Sequence, residues 1–170
     1  MPSAMSLISS TVLSSTSTGF SFSSIPSTYD DLIVKMSIRG SSERLLMAFN
    51  GTTSSNYNLS TFGIALTSLA SYTRAGWSDN HLAYMASPAH SASSGVFSFV
   101  DLYIPSYKTS NYKLVFSDSL NDAATSGVYT NNAIVEWAET SVITSLYFRS
   151  GGTNDFYPES SFAIYGIKNS

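Results

Sequence analysis

The residues able to do chemistry are few and scattered. Serine and threonine make up about 30 % of the 170 residues, so a serine nucleophile is the first reaction type to weigh. Such a hydroxyl needs a base within hydrogen-bond reach and an oxyanion hole. The bases on offer are His81 and His90, and no G-x-S-x-G elbow occurs. Asp79, His81 and His90 have donor types that suit zinc, but the sequence has neither the helical H-E-x-x-H spacing nor a cysteine. Asp118 and Asp122 flank a segment that reads as a loop, without the dense carboxylate ladder of an EF-hand.

Glu136 and Glu139 straddle Trp137, and an acid beside an aromatic suggests glycoside hydrolysis. On a strand, however, Glu136 and Trp137 point to opposite faces. Asp101 sits between Phe99 and Tyr103 on an aromatic strand face, where a buried carboxylate must be hydrogen-bonded or shifted in pKa. A contact to lysine, arginine or a backbone amide is the expected solution. None of these groups completes a catalytic or metal constellation. The expectation is a chain that is not an enzyme and holds neither cofactor nor metal.

The aromatic residues point to binding instead. Tyr72, Trp77 and Tyr84 fall in an irregular region, where exposed rings offer stacking surfaces for sugars or for protein partners. Phe97, Phe99 and Tyr103 share one face of a strand over 96–104, whose other face carries Val96, Val100, Leu102 and Ile104. Both faces being apolar, this strand is expected to be central and covered twice, the second cover being a loop of its own chain or another subunit. Phe97, Phe99 and Tyr103 are therefore the candidate subunit interface.

Composition narrows the partners. The net charge is −3 and the nearest approach to a basic cluster is Arg39 with Arg44, too little to displace the counterions of a nucleic-acid groove. No apolar run reaches the length of a membrane span, and residues 1–17 carry no basic residue of the kind a secretory signal needs. Neither nucleic acid nor a membrane is an expected partner, and synthesis in a cytoplasm is. There are no cysteines to staple the fold, but 170 residues suffice for a core without them.

The elements that must position these residues are strands. Leu32, Val34, Met36 and Ile38 alternate with Ile33, Lys35, Ser37 and Arg39, which gives one apolar and one mostly polar face. Similar alternation marks 19–25, 45–49, 96–104, 112–117, 128–137, 141–149 and 162–168, with Asn50-Gly51 as a turn and Asn131-Asn132 as a break. The loop 151–161 is longer than a tight hairpin, so the last two strands need not pair directly. Residues 1–18 read as an N-terminal arm or edge strand, 19–170 as one domain, and 52–94 as an irregular excursion with one or two short strands. Eight or nine strands without a convincing helix predict an all-β fold. Turn spacing makes it a two-sheet antiparallel β-sandwich of jelly-roll or Greek-key topology.

The order of several segments resembles the small β-rich virion structural proteins of tailed bacteriophages, of capsid decoration, cement or fibre type. The segments are Ile25-Pro26-Ser27-Thr28-Tyr29, Asp31-Leu32-Ile33-Val34, Phe49-Asn50-Gly51 with Asn56-Tyr57, Val100 to Tyr107, and Trp137 with Ile143 to Leu146 and Ile164 to Ile167. The resemblance implies a virion location, copies of itself as partners in a homotrimer, and contact with a major capsid protein or a tail component. It implies no catalytic residue. The expected function is decoration or cementing of the capsid, with a glycan-recognising tail-fibre module as the alternative.

Overall fold

The computed structural model describes residues 5–41, 45–52, 57–65, 68–75, 82–85, 95–122, 128–151 and 155–169; for 58–65, 68–75, 82–85, 121–122 and 128–129 the description is of the backbone. The regular elements among them are strands, and all pair antiparallel. In chain order they are β1 (Met5–Val12), β2 (Gly19–Phe22), β3 (Asp31–Ile38), β4 (Leu45–Phe49), β5 (Tyr57–Ala65), β6 (Ser68–Ala75), β7 (Leu82–Met85), β8 (Ser98–Ile104), β9 (Lys113–Asp122), β10 (Val128–Trp137), β11 (Leu146–Ser150) and β12 (Ser161–Ile167). They form an eight-stranded sheet, β1-β12-β3-β8-β9-β10-β5-β6, and a four-stranded sheet, β2-β11-β4-β7.

Four pairings generate this order: β1 with β12, β2 with β11, β3 with β8, and β4 with β7. A chain folded back on itself in this way forms one long ladder, and its successive rungs fall in alternate sheets as it rolls up. That is jelly-roll connectivity. Two hairpins interrupt the ladder. β5–β6 is inserted between β4 and β7, β9–β10 between β8 and β11, and both extend the larger sheet.

The excursion at 52–94 therefore contributes three strands, which brings the number among the described residues to twelve. β5 and β6 carry serine, threonine and glycine among their apolar residues (YNLSTFGIA and SLASYTRA), so their period-two contrast is weak. Pairing with β10 and with each other holds them, rather than an amphipathic pattern. Nor does Asn131-Asn132 break β10. Asn132 faces outward and its amide donates to Asp118 Oδ1 at 2.9 Å, while the Asn131 carbonyl accepts from Ser119 Oγ at 2.8 Å.

The core lies between the sheets. Leu32, Val34, Met36, Ile38, Val100, Leu102, Ile104, Phe162 and Ile164 of the larger sheet meet Phe22, Leu45, Met47, Phe49, Leu146 and Phe148 of the smaller. The inserted hairpin contributes Trp137, fully buried with its ring 5.0 Å from Phe49 and stacked on Tyr57. Burial pushes the Tyr57 hydroxyl up to about 12, although that oxygen accepts a hydrogen bond from Phe49 N.

At the C-terminal end, β11 and β12 lie in opposite sheets, so the long loop between them is a crossover. The strand expected from Ser141 begins only at Leu146, and the reason is Asn50. Asn50 and Gly51 both have positive φ, 52° and 66°, and Thr52 N donates to Phe49 O at 2.8 Å, which closes a two-residue turn. The Asn50 side chain then reaches across the turn. Its Oδ1 accepts from Thr144 N (2.8 Å), Thr144 Oγ1 (3.1 Å) and Ser145 N (3.1 Å), and its Nδ2 donates to Val142 O (2.8 Å). These bonds replace strand pairing over 142–145 and leave Ile143 buried as an anchor. Replacing Asn50 with Gly keeps the turn and should cost about 2 kcal/mol from the lost side-chain bonds; Asn50→Ala should cost about 1 kcal/mol more from its poorer fit to positive φ. Urea unfolding of the two variants beside wild type separates latch from turn.

Candidate interaction face

The eight-stranded sheet has an inner face that fills the core and an outer face that does not. On β8, Ser98, Val100, Leu102 and Ile104 are buried inward, whereas Phe99, Asp101 and Tyr103 point out. β9 alternates in the same way. Lys113, Val115, Ser117 and Ser119 are buried, and Leu114, Phe116, Asp118 and Leu120 are exposed. On β10, Ala133, Val135 and Trp137 face in, and Ile134 faces out. The register therefore builds a lane across the outer face: Leu7, Tyr165, Ile33, Tyr103, Phe116 and Ile134 lie on six successive strands. A second lane holds Phe99 beside Leu120.

These side chains are open to solvent. Phe99 is 45 % exposed, Tyr103 38 %, Phe116 41 %, Leu120 47 % and Ile134 47 %. Among the described residues, eleven large hydrophobic side chains are exposed, and nine of them (Met5, Leu7, Val12, Phe99, Tyr103, Leu114, Phe116, Leu120 and Ile134) lie on this one face. Scattered exposed apolar residues are normal on a soluble protein, but a contiguous set marks an interaction site. The strand at 96–104 was expected to be covered on both faces. In the single chain its outer face is open.

Between the two apolar lanes runs a polar row, Lys35–Asp101–Asp118–Asn132, each residue opposite the next on neighbouring strands. Lys35 Nζ lies 2.6 Å from Asp101 Oδ2 and its ammonium sits 5.7 Å from the Phe99 ring centroid. Asp101 thus finds the lysine partner expected of it. A half-exposed pair of this kind adds at most about 1 kcal/mol to stability. Its larger effect is to fix the geometry of the row.

Tyr103 is held in place from the end of the sheet. Its hydroxyl donates to Asp31 Oδ2 at 2.8 Å, and the same carboxylate accepts from Ser106 N (2.9 Å) and Asn169 Nδ2 (3.0 Å). Burial alone would raise the Asp31 pKa, but the bonds from Ser106, Asn169 and Tyr103 outweigh it and hold the carboxyl below its ordinary value of 3.8. The bond to Asp31 in turn pushes the Tyr103 hydroxyl up. Because the folded-state pKa is depressed, the stabilisation is fully present above the unfolded value and is lost as pH falls through the lower folded one. Asp31→Asn should therefore cost about 2 kcal/mol at neutral pH and flatten the fall in melting temperature below pH 4, which thermal scans from pH 7 to pH 2 would read.

Not every residue singled out in the sequence reaches this face. Phe99 and Tyr103 are central to it. Phe97 precedes β8, is half-buried, and packs beneath Arg39, whose guanidinium also lies 5.1 Å from the Tyr157 ring centroid. Trp77, Asp79, His81 and His90 lie outside the described residues, as do the side chains of Tyr72, Tyr84 and Asp122. Asp118 and Asp122 belong to β9 instead of flanking a loop, and Asp118 is bonded to Asn132. Glu136 is on the outer face, Trp137 is in the core, and Glu139 follows the end of β10, so Trp137 joins no sugar site with them. Among the described residues, no three histidine, cysteine or acidic side chains gather as metal ligands, and no helix is long and apolar enough to cross a membrane.

Leu114, Phe116, Leu120 and Ile134 were missed as face residues. The signal was present in the continued alternation through 113–122, but serines and Asp118 at its centre made the strand look finished at Ser117. No protein-family model matches the chain, and no curated protein matches it either.

Proposed function

We propose that this chain is a non-enzymatic structural subunit of a tailed-phage virion, which decorates or cements the capsid surface through self-association and contacts with the shell. The observation that carries this reading is the concentration of exposed apolar side chains on one sheet face. That surface costs solubility in a free monomer and has a purpose in an assembly, where association stabilises the folded subunit by mass action. The segment order that resembles phage virion proteins supports the assignment to a virion. Jelly rolls serve in viral capsids and in lectins alike, so connectivity by itself favours neither. A homotrimer, and a major capsid protein or tail component as the other partner, are what the resemblance adds.

β1 modifies the role of the N-terminal segment. It is an edge strand paired with β12 of its own chain, and Leu13 and Glu159 continue that pairing beyond the strand. Association between subunits is accordingly assigned to the outer face instead of a free arm, and attachment to the shell depends on it. The test is co-sedimentation of the purified protein with particles of the encoding phage that lack it. Saturable binding, lost in Phe116→Asp, is expected. Failure of the wild-type protein to sediment with particles at any concentration would reject the reading.

A further inference from the structure

We propose that the outer face of the eight-stranded sheet packs on the same face of a second copy, about a two-fold axis that runs along β8. This deepens the reading above and rests on it for the role of the face as an association surface. The first argument is area. Nine side chains of about 150–250 Å² each, exposed by roughly four to six tenths, present on the order of 700 Å². One side of a standard protein–protein interface buries about 800 Å². The larger sheet can thus supply a complete interface without rearrangement.

The second argument is charge, and it selects the occupant. β3 and β9 flank β8, and Lys35, Asp101 and Asp118 stand in one row across the three strands. Rotation about β8 lays β3 of one copy over β9 of the other while keeping each row in place. Lys35 then stands over Asp118 of the second copy, and Asp118 over its Lys35. Asp101 meets its own counterpart, each held by its own Lys35 at 2.6 Å, so two lysines are shared among four aspartates across the pair. In the neighbouring row, Ile33 covers Phe116 and the two Tyr103 rings meet. The face is its own complement, as an isologous contact requires. Sheets in aligned packing lie about 10 Å apart, a span that a lysine and an aspartate bridge from opposite sides. Lysine has three donors, so the bond to Asp101 leaves two for this contact.

The inserted hairpin gives the arrangement its logic. β9 sends Val115 into the core and carries Leu114, Phe116, Asp118 and Leu120 outward, so one inserted strand serves both faces. The pinned Tyr103 hydroxyl and the lysine over Phe99 fix these groups before association, which reduces the ordering cost of binding. The symmetry of the row fits a pair rather than the trimer that the resemblance implies.

The experiment is light scattering and sedimentation equilibrium on the full chain, with circular dichroism of every variant as the control for folding. Wild type should show twice the mass of the chain. Lys35→Asp and Asp118→Lys each place like charges face to face twice, and each should raise the dissociation constant roughly 100-fold or more. An equimolar mixture of those two variants makes both contacts attractive again and should restore the pair, a result no effect within one chain can produce. Phe116→Asp, on an exposed position, should be folded and monomeric, with a melting temperature that no longer rises with protein concentration, and it tests the face if Lys35→Asp fails to fold. A monomeric wild type, a trimer, a Phe116→Asp variant that pairs normally, or folded charge variants that stay apart when mixed would each overturn the proposal. A chain that pairs in solution but is absent from particles would reject the virion reading alone; a particle component that stays single in solution would reject the pairing alone.

Discussion

Trp137→Ala should lower stability by about 4 kcal/mol, the largest loss from any single truncation among the described residues. Trp137 heads the fully buried side chains by volume; it joins the inserted hairpin to the smaller sheet through Phe49 and stacks on Tyr57 of the neighbouring β5. Removing the indole leaves a cavity that Phe49 and Tyr57 cannot close, because each is itself pinned by a neighbouring strand. For a chain of this length the melting temperature should fall by roughly 10 °C or more. Ile134→Ala is the paired measurement. Ile134 lies three residues earlier on the same strand but on the outer face, and its loss should cost under about 1 kcal/mol. A larger loss at Ile134 than at Trp137 would mean that β10 is inverted.

The second large effect is expected at Gly166. A β-carbon there would fall inside the ring of Tyr29, which packs against the core from the loop before β3. Gly166 is paired with Leu32 on one side and Ser6 on the other, so the backbone cannot retreat without breaking β12 from both neighbours. Gly166→Ala should cost about 3 kcal/mol through overpacking. Tyr29→Ala should be damaging in the wild-type background and partly compensating in the Gly166→Ala background. The resulting coupling of at least about 1 kcal/mol is measurable in a double-mutant cycle. Additive losses would place the ring elsewhere.

The sequence made the fold class legible because the jelly-roll strands are amphipathic. β3, β8 and β12 alternate cleanly since one face of each fills the core, and that contrast is what periodicity detects. The inserted strands were harder to read. β5 and β6 are held by a partner on each side or at the edge, and their serine and threonine content hides the alternation. The start of β11 was misplaced for a different reason. Val142 and Thr144 look like strand residues, but their backbone groups are taken by the side chain of Asn50, more than ninety positions earlier, and by Ile25 N, which donates to Thr144 O.

The candidate face was legible in part. Phe99 and Tyr103 stood out because both faces of their strand were apolar, and an apolar outer face is unexpected unless something covers it. Phe116, Leu120 and Ile134 did not stand out, because what joins them to Phe99 and Tyr103 is register between strands, which one strand's sequence does not carry. Lys35, Asp101 and Asp118 are separated in the chain and adjacent in space for the same reason.

The central claim is that this chain is a structural component of a virion, and quantitative mass spectrometry of purified particles tests it most directly. A subunit that decorates or cements the capsid should be present in hundreds of copies per particle, in fixed proportion to the major capsid protein. Its absence from purified particles, in cells where the chain is nevertheless made in quantity, would contradict the account.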